Sequence, residues 1–159
     1  KRVYYSAFSP IPDASAALPL KAPPLVREHR LYQADWLMRF YGFAHHEIVP
    51  DAHSGMLALD MDPKLAWALA HRERFPVNLN TAPRELLLRV PGFGVQTVDR
   101  LLAARRVRRL RHADLARLHV PLKKVLPFVE AADYRPGRAL EAADLAAHLA
   151  PPPVQRSLF

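Results

Sequence analysis

A short run of proline and glycine near the middle of the chain, Pro91-Gly92-Phe93-Gly94, constrains the possible folds more than any other segment. The segments on both sides carry apolar residues at helical spacing, so the sequence predicts helix, tight turn and helix between Asn78 and Arg111. Glycine adopts positive φ angles without steric cost and lets the backbone approach a ligand closely. Gly92 and Gly94 fit that use, but they also fit a hairpin in which glycine only permits the turn.

The helix before the turn is expected to begin near Pro83, because proline is tolerated in the first helical turn, with Asn80 or Thr81 as its N-cap. Its apolar residues recur at helical spacing and predict one buried face. The residues of this predicted face are Leu86, Leu87 and Val90.

The helix after the turn is expected to begin at about Val95. Its first N–H groups have no intrahelical partner and lie at the positive end of the helix dipole, so they form a potential anion site. A nucleic-acid phosphate would suit a site of this kind. The residues predicted to face inward are Val98, Leu101 and Leu102, and those predicted to face outward are Asp99, Arg100, Arg105 and Arg106.

The charged residues are distributed unevenly along the chain. The segment from Arg84 to Lys124 holds 11 of the 23 basic residues and 3 of the 15 acidic ones, a net charge of +8. The 12 basic and 12 acidic residues elsewhere cancel. A localised basic patch is typical of a protein with a polyanion partner, because neutralised phosphates release condensed counterions. A solvated basic face is the alternative interpretation.

Several classes of protein are disfavoured by composition. The 159 residues include no cysteine, so disulfides, thiolate zinc sites and iron–sulfur clusters cannot be built from this chain alone. No run of about 18 apolar residues is present, and the N-terminus has no signal-peptide pattern. We therefore expect a cytoplasmic protein without a membrane span. Because the chain begins at Lys1 rather than at methionine, we expect a fragment of a longer protein or a misassigned start.

The first 24 residues are predicted to contain one strand and a proline-rich connector. The segment from Val3 to Phe8 is rich in aromatic residues and favours a β-strand, which needs partner strands to satisfy its edges. Five prolines between residues 9 and 24 predict an extended connector. We expect the strand to belong to a sheet that is mostly absent from this chain.

A helical linker region is expected over residues 25–75. The apolar spacing predicts a helix over residues 25–41 that stops at Gly42, and Asp62-Pro63 is a strong start for a helix to about Arg74. The aromatic residues in and just after the first helix are expected in the core rather than stacked on bases. They are Tyr32, Trp36, Phe40 and Phe43.

Between these helices, residues 44–61 are predicted to form an irregular polar linker. It contains residues able to ligate a metal, namely His45, His46, Glu47, Asp51 and His53. Adjacent side chains such as His45 and His46 point in different directions in any regular structure, which disfavours shared coordination. A polar loop is the favoured interpretation, with a metal site as the alternative.

The segment after the second helix is predicted to repeat the helix–turn–helix plan without glycines. The expected order is the basic run Arg105 to Arg111, a helix over residues 112–118, a turn at His119-Val120-Pro121 and a helix from Leu122 to Val129. Such a second half can complete the core without binding phosphate itself. Residues 130–138 are expected to form a loop, and Leu140 to Leu149 a helix.

The segment from Val77 to Ala82, followed by Leu88 to Val95, resembles the helix-hairpin-helix DNA-binding units of bacterial competence proteins and repair enzymes. In that family the Gly-x-Gly turn and the following amides hold a DNA phosphate without reading sequence. A basic residue often follows in the second helix, and Arg100 is the nearest here. The resemblance and the basic run together imply a DNA-binding module over residues 76–130. Its binding residues would be Gly92, Phe93, Gly94, Val95, Gln96, Thr97, Arg100, Arg105, Arg106 and Arg108.

A wider resemblance covers nearly the whole chain. Residues 4–12, 23–43 and 62–69 are similar to the C-terminal part of radical SAM proteins of DNA modification and repair. Those proteins carry a barrel domain with a Cys-x-x-x-Cys-x-x-Cys motif, followed by a helix-hairpin-helix region. The resemblance implies that residues 1–24 are the end of the barrel sheet and a connector. The iron–sulfur cluster and S-adenosylmethionine would then belong to the missing N-terminal part, and this chain would hold no cofactor and no catalytic residue.

The C-terminal residues 155–159, Gln-Arg-Ser-Leu-Phe, are similar to the Gln-Leu-Ser-Leu-Phe peptide by which bacterial repair proteins dock on the sliding clamp. Arg156 replaces the usual leucine. The resemblance implies partner-binding roles for Gln155, Leu158 and Phe159, presented by the prolines at 151–153. Residues 131–159 would thus form a C-terminal helix and docking tail. A frayed terminus without a partner is the alternative.

Together these features predict a mainly α protein, in which a tandem helix-hairpin-helix module follows a short N-terminal strand and a helical linker region. The favoured function is non-sequence-specific binding of DNA through backbone phosphates, as the targeting region of a radical SAM repair protein. One alternative is a segment that completes a radical SAM active site on another chain. The other is an interaction module that docks on the sliding clamp.

Overall fold

The computed structural model describes residues 3–6, 8–11, 15, 17–19, 21–49 and 55–149. Within these ranges the chain is mainly helical, with one two-stranded parallel sheet. This confirms the mainly α class. The chain divides into two compact units, Lys1–Pro63 and Lys64–Phe159. In the described ranges no helix is long and apolar enough to cross a membrane.

The first unit is built around helix α1, Leu25–Phe40, which confirms the helix predicted over residues 25–41. Gly42 follows with φ of 70° and ends the helical run. The buried residues of α1 are Arg30, Ala34 and Leu37. Arg30 donates a hydrogen bond of 2.9 Å to the Leu59 carbonyl oxygen, so a charged side chain ties the segment after residue 55 to this helix.

The aromatic residues of α1 are not core residues, and the sequence-based prediction was wrong for three of the four. Tyr32, Trp36 and Phe40 are 36%, 57% and 49% exposed, whereas Phe43 is 4% exposed. The reason is helical geometry: residues 32, 36 and 40 follow one another at i, i+4 and lie on a different side from the buried row of Ala34 and Leu37.

The predicted N-terminal strand is also absent, since residues 3–6 and 8 form no strand. The Tyr5 N–H donates to the Tyr32 hydroxyl over 3.0 Å, and that hydroxyl donates to the Tyr5 carbonyl oxygen over 3.2 Å. A side chain of α1 therefore satisfies the backbone groups that a neighbouring strand would otherwise pair with.

The predicted irregular linker contains a short helix, α2, His45–Ile48. Asp51 and His53 lie outside the described residues. Among the residues that are described, no group of three or more His, Cys, Asp or Glu side chains is placed to share a metal ion.

The second unit contains six helices and the parallel strand pair within the described residues. In chain order these are α3 (Pro63–Ala70), β1 (Val77–Asn78), α4 (Arg84–Arg89), α5 (Val95–Val107), α6 (His112–Arg117), α7 (Leu122–Val125), β2 (Val129–Glu130) and α8 (Leu145–Leu149). Short 3₁₀ turns occupy Arg72–Arg74, Leu126–Phe128 and Gly137–Glu141.

Three predicted helices are shorter than expected. Helix α3 ends at Ala70 rather than near Arg74, and a 3₁₀ turn continues the segment. The helix expected from Leu122 to Val129 stops at Val125, because Pro127 has no N–H for a continuing α-helix and the chain turns into β2. The helix expected from Leu140 is a 3₁₀ turn there and becomes α-helical only at Leu145.

The parallel strand pair closes the second unit. Val77 pairs with Val129, and Asn78 with Glu130, which joins the segment before α4 to the segment after α7. Parallel strands need a long crossover, and α4 to α7 supply it. The fully buried side chains of the segment between the two strands include Leu79, Leu87, Leu101, Leu115, Val125 and Phe128. The core of the unit is therefore formed largely by the segment between the two strands, which contains the α4–α5 turn.

Candidate nucleic-acid interface

The turn between α4 and α5 lies where the sequence predicts it, with small differences in α4. Pro83 adopts an extended conformation with ψ of 160° and acts as the N-cap, so the first helical residue is Arg84. The buried residues of α4 are Leu87 and Leu88, and Leu86 is only half-buried. Val90 is extended and fully buried, and it leads the chain into the turn.

The two glycines of the turn have different roles. Gly92 has φ of 89°, a conformation that favours glycine, whereas Gly94 has φ of −93° and is the N-cap of α5. A Cβ atom at Gly92 would lie 2.8 Å from Val125 Cγ2 and 3.0 Å from Pro121 Cγ. The close approach at Gly92 is therefore made by residues next to and within α7, and not by a ligand on that side.

Phe93 anchors the turn from the inside, and its side chain is not available to a nucleic acid. It is 2% exposed. Its N–H donates to the Val90 carbonyl oxygen over 3.2 Å, and its carbonyl oxygen accepts a hydrogen bond of 2.6 Å from Lys64 Nζ. Both backbone groups of Phe93 are thus used within the protein.

The start of α5 presents unpaired backbone donors. No side chain caps the helix, and its first backbone bond runs from Val98 N–H to the Gly94 carbonyl oxygen over 3.0 Å. In the described part of the chain, the N–H groups of Val95, Gln96 and Thr97 have no backbone acceptor. These three donors lie at the positive end of a 13-residue helix, which is a favourable place for an anion.

Two of the predicted arginines, Arg100 and Arg106, are exposed on helix α5. Arg100 follows Gln96 by four residues and Thr97 by three, so it lies one helical turn further on the same side. Arg106 is exposed near the helix end. Neither forms an ion pair with another described residue. Both side chains can therefore meet an external anion.

Arg105 points inward, although the sequence predicts it outward. Its Nη1 atom donates to the carbonyl oxygens of Ala82 and Leu79 over 2.6 Å and 3.3 Å. These carbonyl groups belong to the loop between β1 and α4. Helical spacing alone could not show this contact, because the acceptors lie more than twenty residues away in sequence.

Arg108 is paired with a carboxylate within the protein. Its Nη1 atom donates to Asp114 Oδ2 over 3.0 Å, and its Nη2 atom forms a second bond to Oδ1. The Arg111 N–H also donates to Asp114 Oδ2, over 2.9 Å. The hydrogen bonds from Arg108 and from the Arg111 N–H hold the pKa of Asp114 below its usual value. The charge of Arg108 is therefore partly offset before any ligand binds.

Three further basic residues are exposed and were not among the predicted site residues. Arg109, Arg111 and Lys123 form no ion pair with other residues in the described ranges. Arg109 lines a groove of about 410 Å³ together with Asn78 and Tyr134. Arg109 and Arg111 belong to the basic run from Arg105 to Arg111. The sequence does not distinguish these two exposed residues from Arg105 and Arg108, which form hydrogen bonds within the protein.

A second turn repeats the conformation of the first. His119 has φ of 54° where the first turn has Gly92, Val120 is buried like Phe93, and Pro121 is the N-cap of α7 as Gly94 is of α5. Helix α7 has only four residues. The second helical pair, α6 with α7, is therefore suited to packing rather than to anion binding.

Comparisons with protein-family models, with curated proteins and with solved structures found no match for this chain. Any functional assignment therefore depends on the residues and geometry described above. Gln155, Leu158 and Phe159 lie outside the described residues.

Proposed function

We propose that the second unit binds DNA through backbone phosphates, without reading base sequence. The observation that carries this proposal is the set of three amides at the start of α5 that have no backbone acceptor in the described part of the chain, with exposed Arg100 one turn further along the same side. The amides and the helix dipole would hold one phosphate group. Arg100 would neutralise that phosphate or the next one.

The distribution of charge favours a polymer of phosphates over a single small anion. Besides Arg100, four basic residues are exposed and form no ion pair within the described ranges, namely Arg106, Arg109, Arg111 and Lys123. All four lie in the segment that carries the whole net charge of +8. Several separate cations can contact several phosphates of one duplex, and each contact adds counterion release to the affinity. A single phosphate or carboxylate ligand would need only the helix start.

Backbone donors favour binding without sequence preference. A peptide N–H cannot distinguish one nucleotide from another when its acceptor is a phosphate oxygen, so contacts of this type fix position rather than specificity. We therefore assign the α4–α5 pair as the binding half of a tandem helix-hairpin-helix module. The α6–α7 pair, whose turn conformation is similar, would pack against it and hold no phosphate on its own backbone amides.

In a longer protein, this region would bring a catalytic domain to DNA. The resemblance of residues 4–12, 23–43 and 62–69 to the C-terminal part of radical SAM repair proteins supports a targeting role of that kind. The cluster and S-adenosylmethionine would be held elsewhere, since this chain has no cysteine. The similarity of residues 155–159 to clamp-binding peptides supports an added docking role for Gln155, Leu158 and Phe159.

Fluorescence anisotropy with two labelled duplexes of unrelated sequence tests the proposal. We expect equal affinity for both duplexes within about twofold and a linear fall of log K with log salt concentration. A strong preference for one sequence, or binding independent of salt, would contradict it. For the tail, a pull-down of sliding clamp with and without the last five residues tests docking, which we expect to need them.

A further inference from the structure

Lys64 is a buried lysine in α3 whose ammonium group reaches the turn between α4 and α5. The residue is 7% exposed, and Nζ lies 2.6 Å from the Phe93 carbonyl oxygen. Burying an ammonium group is unfavourable unless it is hydrogen-bonded, so this contact is a specific feature of the fold. Lys64 lies outside the two helices that form the turn and precedes Phe93 by 29 residues.

The contact fixes the orientation of one peptide group. The bond between Phe93 and Gly94 is trans, and in a trans peptide the C=O and N–H groups point in opposite directions. Because Lys64 holds the Phe93 carbonyl oxygen, the Gly94 N–H must point away from the ammonium group. The three unpaired amides of Val95, Gln96 and Thr97 follow directly along the chain.

The other inward-facing parts of the turn are held by separate contacts. Gly92 packs against Val125 and Pro121, and the Phe93 N–H is bonded to the Val90 carbonyl oxygen over 3.2 Å. Lys64 thus supplies the contact that sets the peptide immediately before the donors of α5. A positive charge at the carbonyl oxygen also polarises this peptide and strengthens its N–H as a donor.

We propose that Lys64 is a positioning residue for the phosphate-binding turn. It orients and polarises the Phe93–Gly94 peptide from behind, so that the Gly94 N–H joins the amides of α5 in facing a DNA phosphate, and it does not touch the DNA. This inference rests on the proposed DNA-binding function and adds to it a residue from α3 that the basic segment does not contain.

The test compares Lys64→Met with Lys21→Met in anisotropy titrations of one duplex over a salt series. Methionine keeps a similar unbranched stem, and Lys21 is an exposed lysine outside the second unit, so its replacement removes the same charge elsewhere. We expect Lys64→Met to weaken binding by about tenfold at every salt concentration, a loss similar to that caused by removing an outer-shell partner at a metal site. The salt slope should stay unchanged, since no phosphate contact is lost, and Lys21→Met should remain within about twofold of wild type.

A spectroscopic measurement separates positioning from a purely structural role. In ¹H–¹⁵N spectra of the DNA-free protein, we expect Lys64→Met to shift the Gly94 amide proton upfield, while resonances of residues remote from the turn stay in place. Unchanged affinity in Lys64→Met would overturn the proposal. A slope of log K against log salt that falls by the amount expected for about one phosphate contact would overturn it too, because it would mean that Lys64 itself binds phosphate. An unchanged Gly94 resonance would overturn it as well.

These measurements distinguish failure of the DNA-binding function from failure of the proposed role of Lys64. If wild type fails to bind the duplex, the DNA-binding function is refuted, while the Gly94 resonance still decides whether Lys64 orients the peptide. If Lys64→Met does not fold, Lys64→Gln takes its place, because glutamine retains an N–H donor on a shorter stem. We then expect an intermediate loss of affinity with the salt slope unchanged, and wild-type affinity in Lys64→Gln would contradict the proposal.

Discussion

Arg105 donates a hydrogen bond of 2.6 Å to the carbonyl oxygen of Ala82, whereas its neighbour Arg106 is exposed on the same helix. The two residues have the same charge and adjacent positions, but one links α5 to the loop before α4 and the other faces solvent. Substitution of each residue in turn can therefore distinguish an effect on stability from an effect on DNA binding.

Arg105→Ala should destabilise the fold by about 1 to 3 kcal/mol, because it leaves the Ala82 and Leu79 carbonyl oxygens without this donor. Arg106→Ala should change the free energy of unfolding by less than about 0.5 kcal/mol, as exposed substitutions usually do. Urea unfolding followed by circular dichroism measures both. Equal destabilisation of the two variants would show that Arg105 has no special structural role.

The exposed arginines of α5 should determine part of the salt dependence of DNA binding. A double variant with Arg100→Ala and Arg106→Ala should lower the magnitude of the slope of log K against log salt by the amount expected for about two phosphate contacts, because both side chains are exposed and neither forms an ion pair with a described residue. Anisotropy titrations from low to moderate salt give the slope. A double variant with the wild-type slope would exclude these arginines from phosphate contact.

The two glycines of the turn should respond differently to substitution. Gly92→Ala should destabilise the protein by about 1 to 3 kcal/mol, because φ is 89° and the new Cβ would lie 2.8 Å from Val125 Cγ2. Gly94→Ala should be tolerated, since φ of −93° suits alanine. Thermal unfolding compares the two, and a Gly92→Ala variant as stable as Gly94→Ala would contradict the packing described for the turn.

At the same position, Gly94→Glu should fold but lose DNA binding. A carboxylate at the N-cap interacts favourably with the helix dipole. It would also occupy the position proposed for the phosphate and repel that phosphate electrostatically. Gly94→Ala is the matched control, which should bind within about threefold of wild type because it adds little bulk and no charge. DNA binding retained by Gly94→Glu would count against a phosphate at the start of α5.

Asp114 should make stability depend on pH. Its pKa is lowered in the folded protein by hydrogen bonds from Arg108 and the Arg111 N–H, so its stabilising contribution is complete above the unfolded pKa of about 3.9. The contribution is lost as pH falls through the lower folded pKa. The difference in unfolding free energy between wild type and Asp114→Asn should therefore be largest at neutral pH and shrink below about pH 4. A difference independent of pH would contradict this account.

Local sequence patterns predicted the second unit better than the first. Proline, glycine and helical spacing located α4, the turn and α5, because these signals act within a few residues. The aromatic row of Tyr32, Trp36 and Phe40 looked like core for the same reason, yet it is exposed. Spacing identifies which residues share a face but not which face another element covers.

Within the candidate site, the sequence identified the helix start but not the internal partners of its basic residues. Arg105 bonds to Ala82, and Lys64 to Phe93, across 23 and 29 residues. Arg108 and Asp114 are close in sequence, but they lie at the end of α5 and within α6, so their pairing depends on how the chain connects these two helices. The positions of acceptor groups are set by tertiary packing, so a basic run alone cannot show which of its members are free to bind a ligand.

The most direct test of the central claim is a ¹H–¹⁵N titration of the protein with a short duplex DNA. We predict that the amide resonances of Val95, Gln96 and Thr97 shift most at the first additions, because their N–H groups would gain phosphate acceptors. The Phe93 amide, already bonded to the Val90 carbonyl oxygen over 3.2 Å, should shift much less. Saturated binding of DNA with no shift at Val95 to Thr97 would contradict the account.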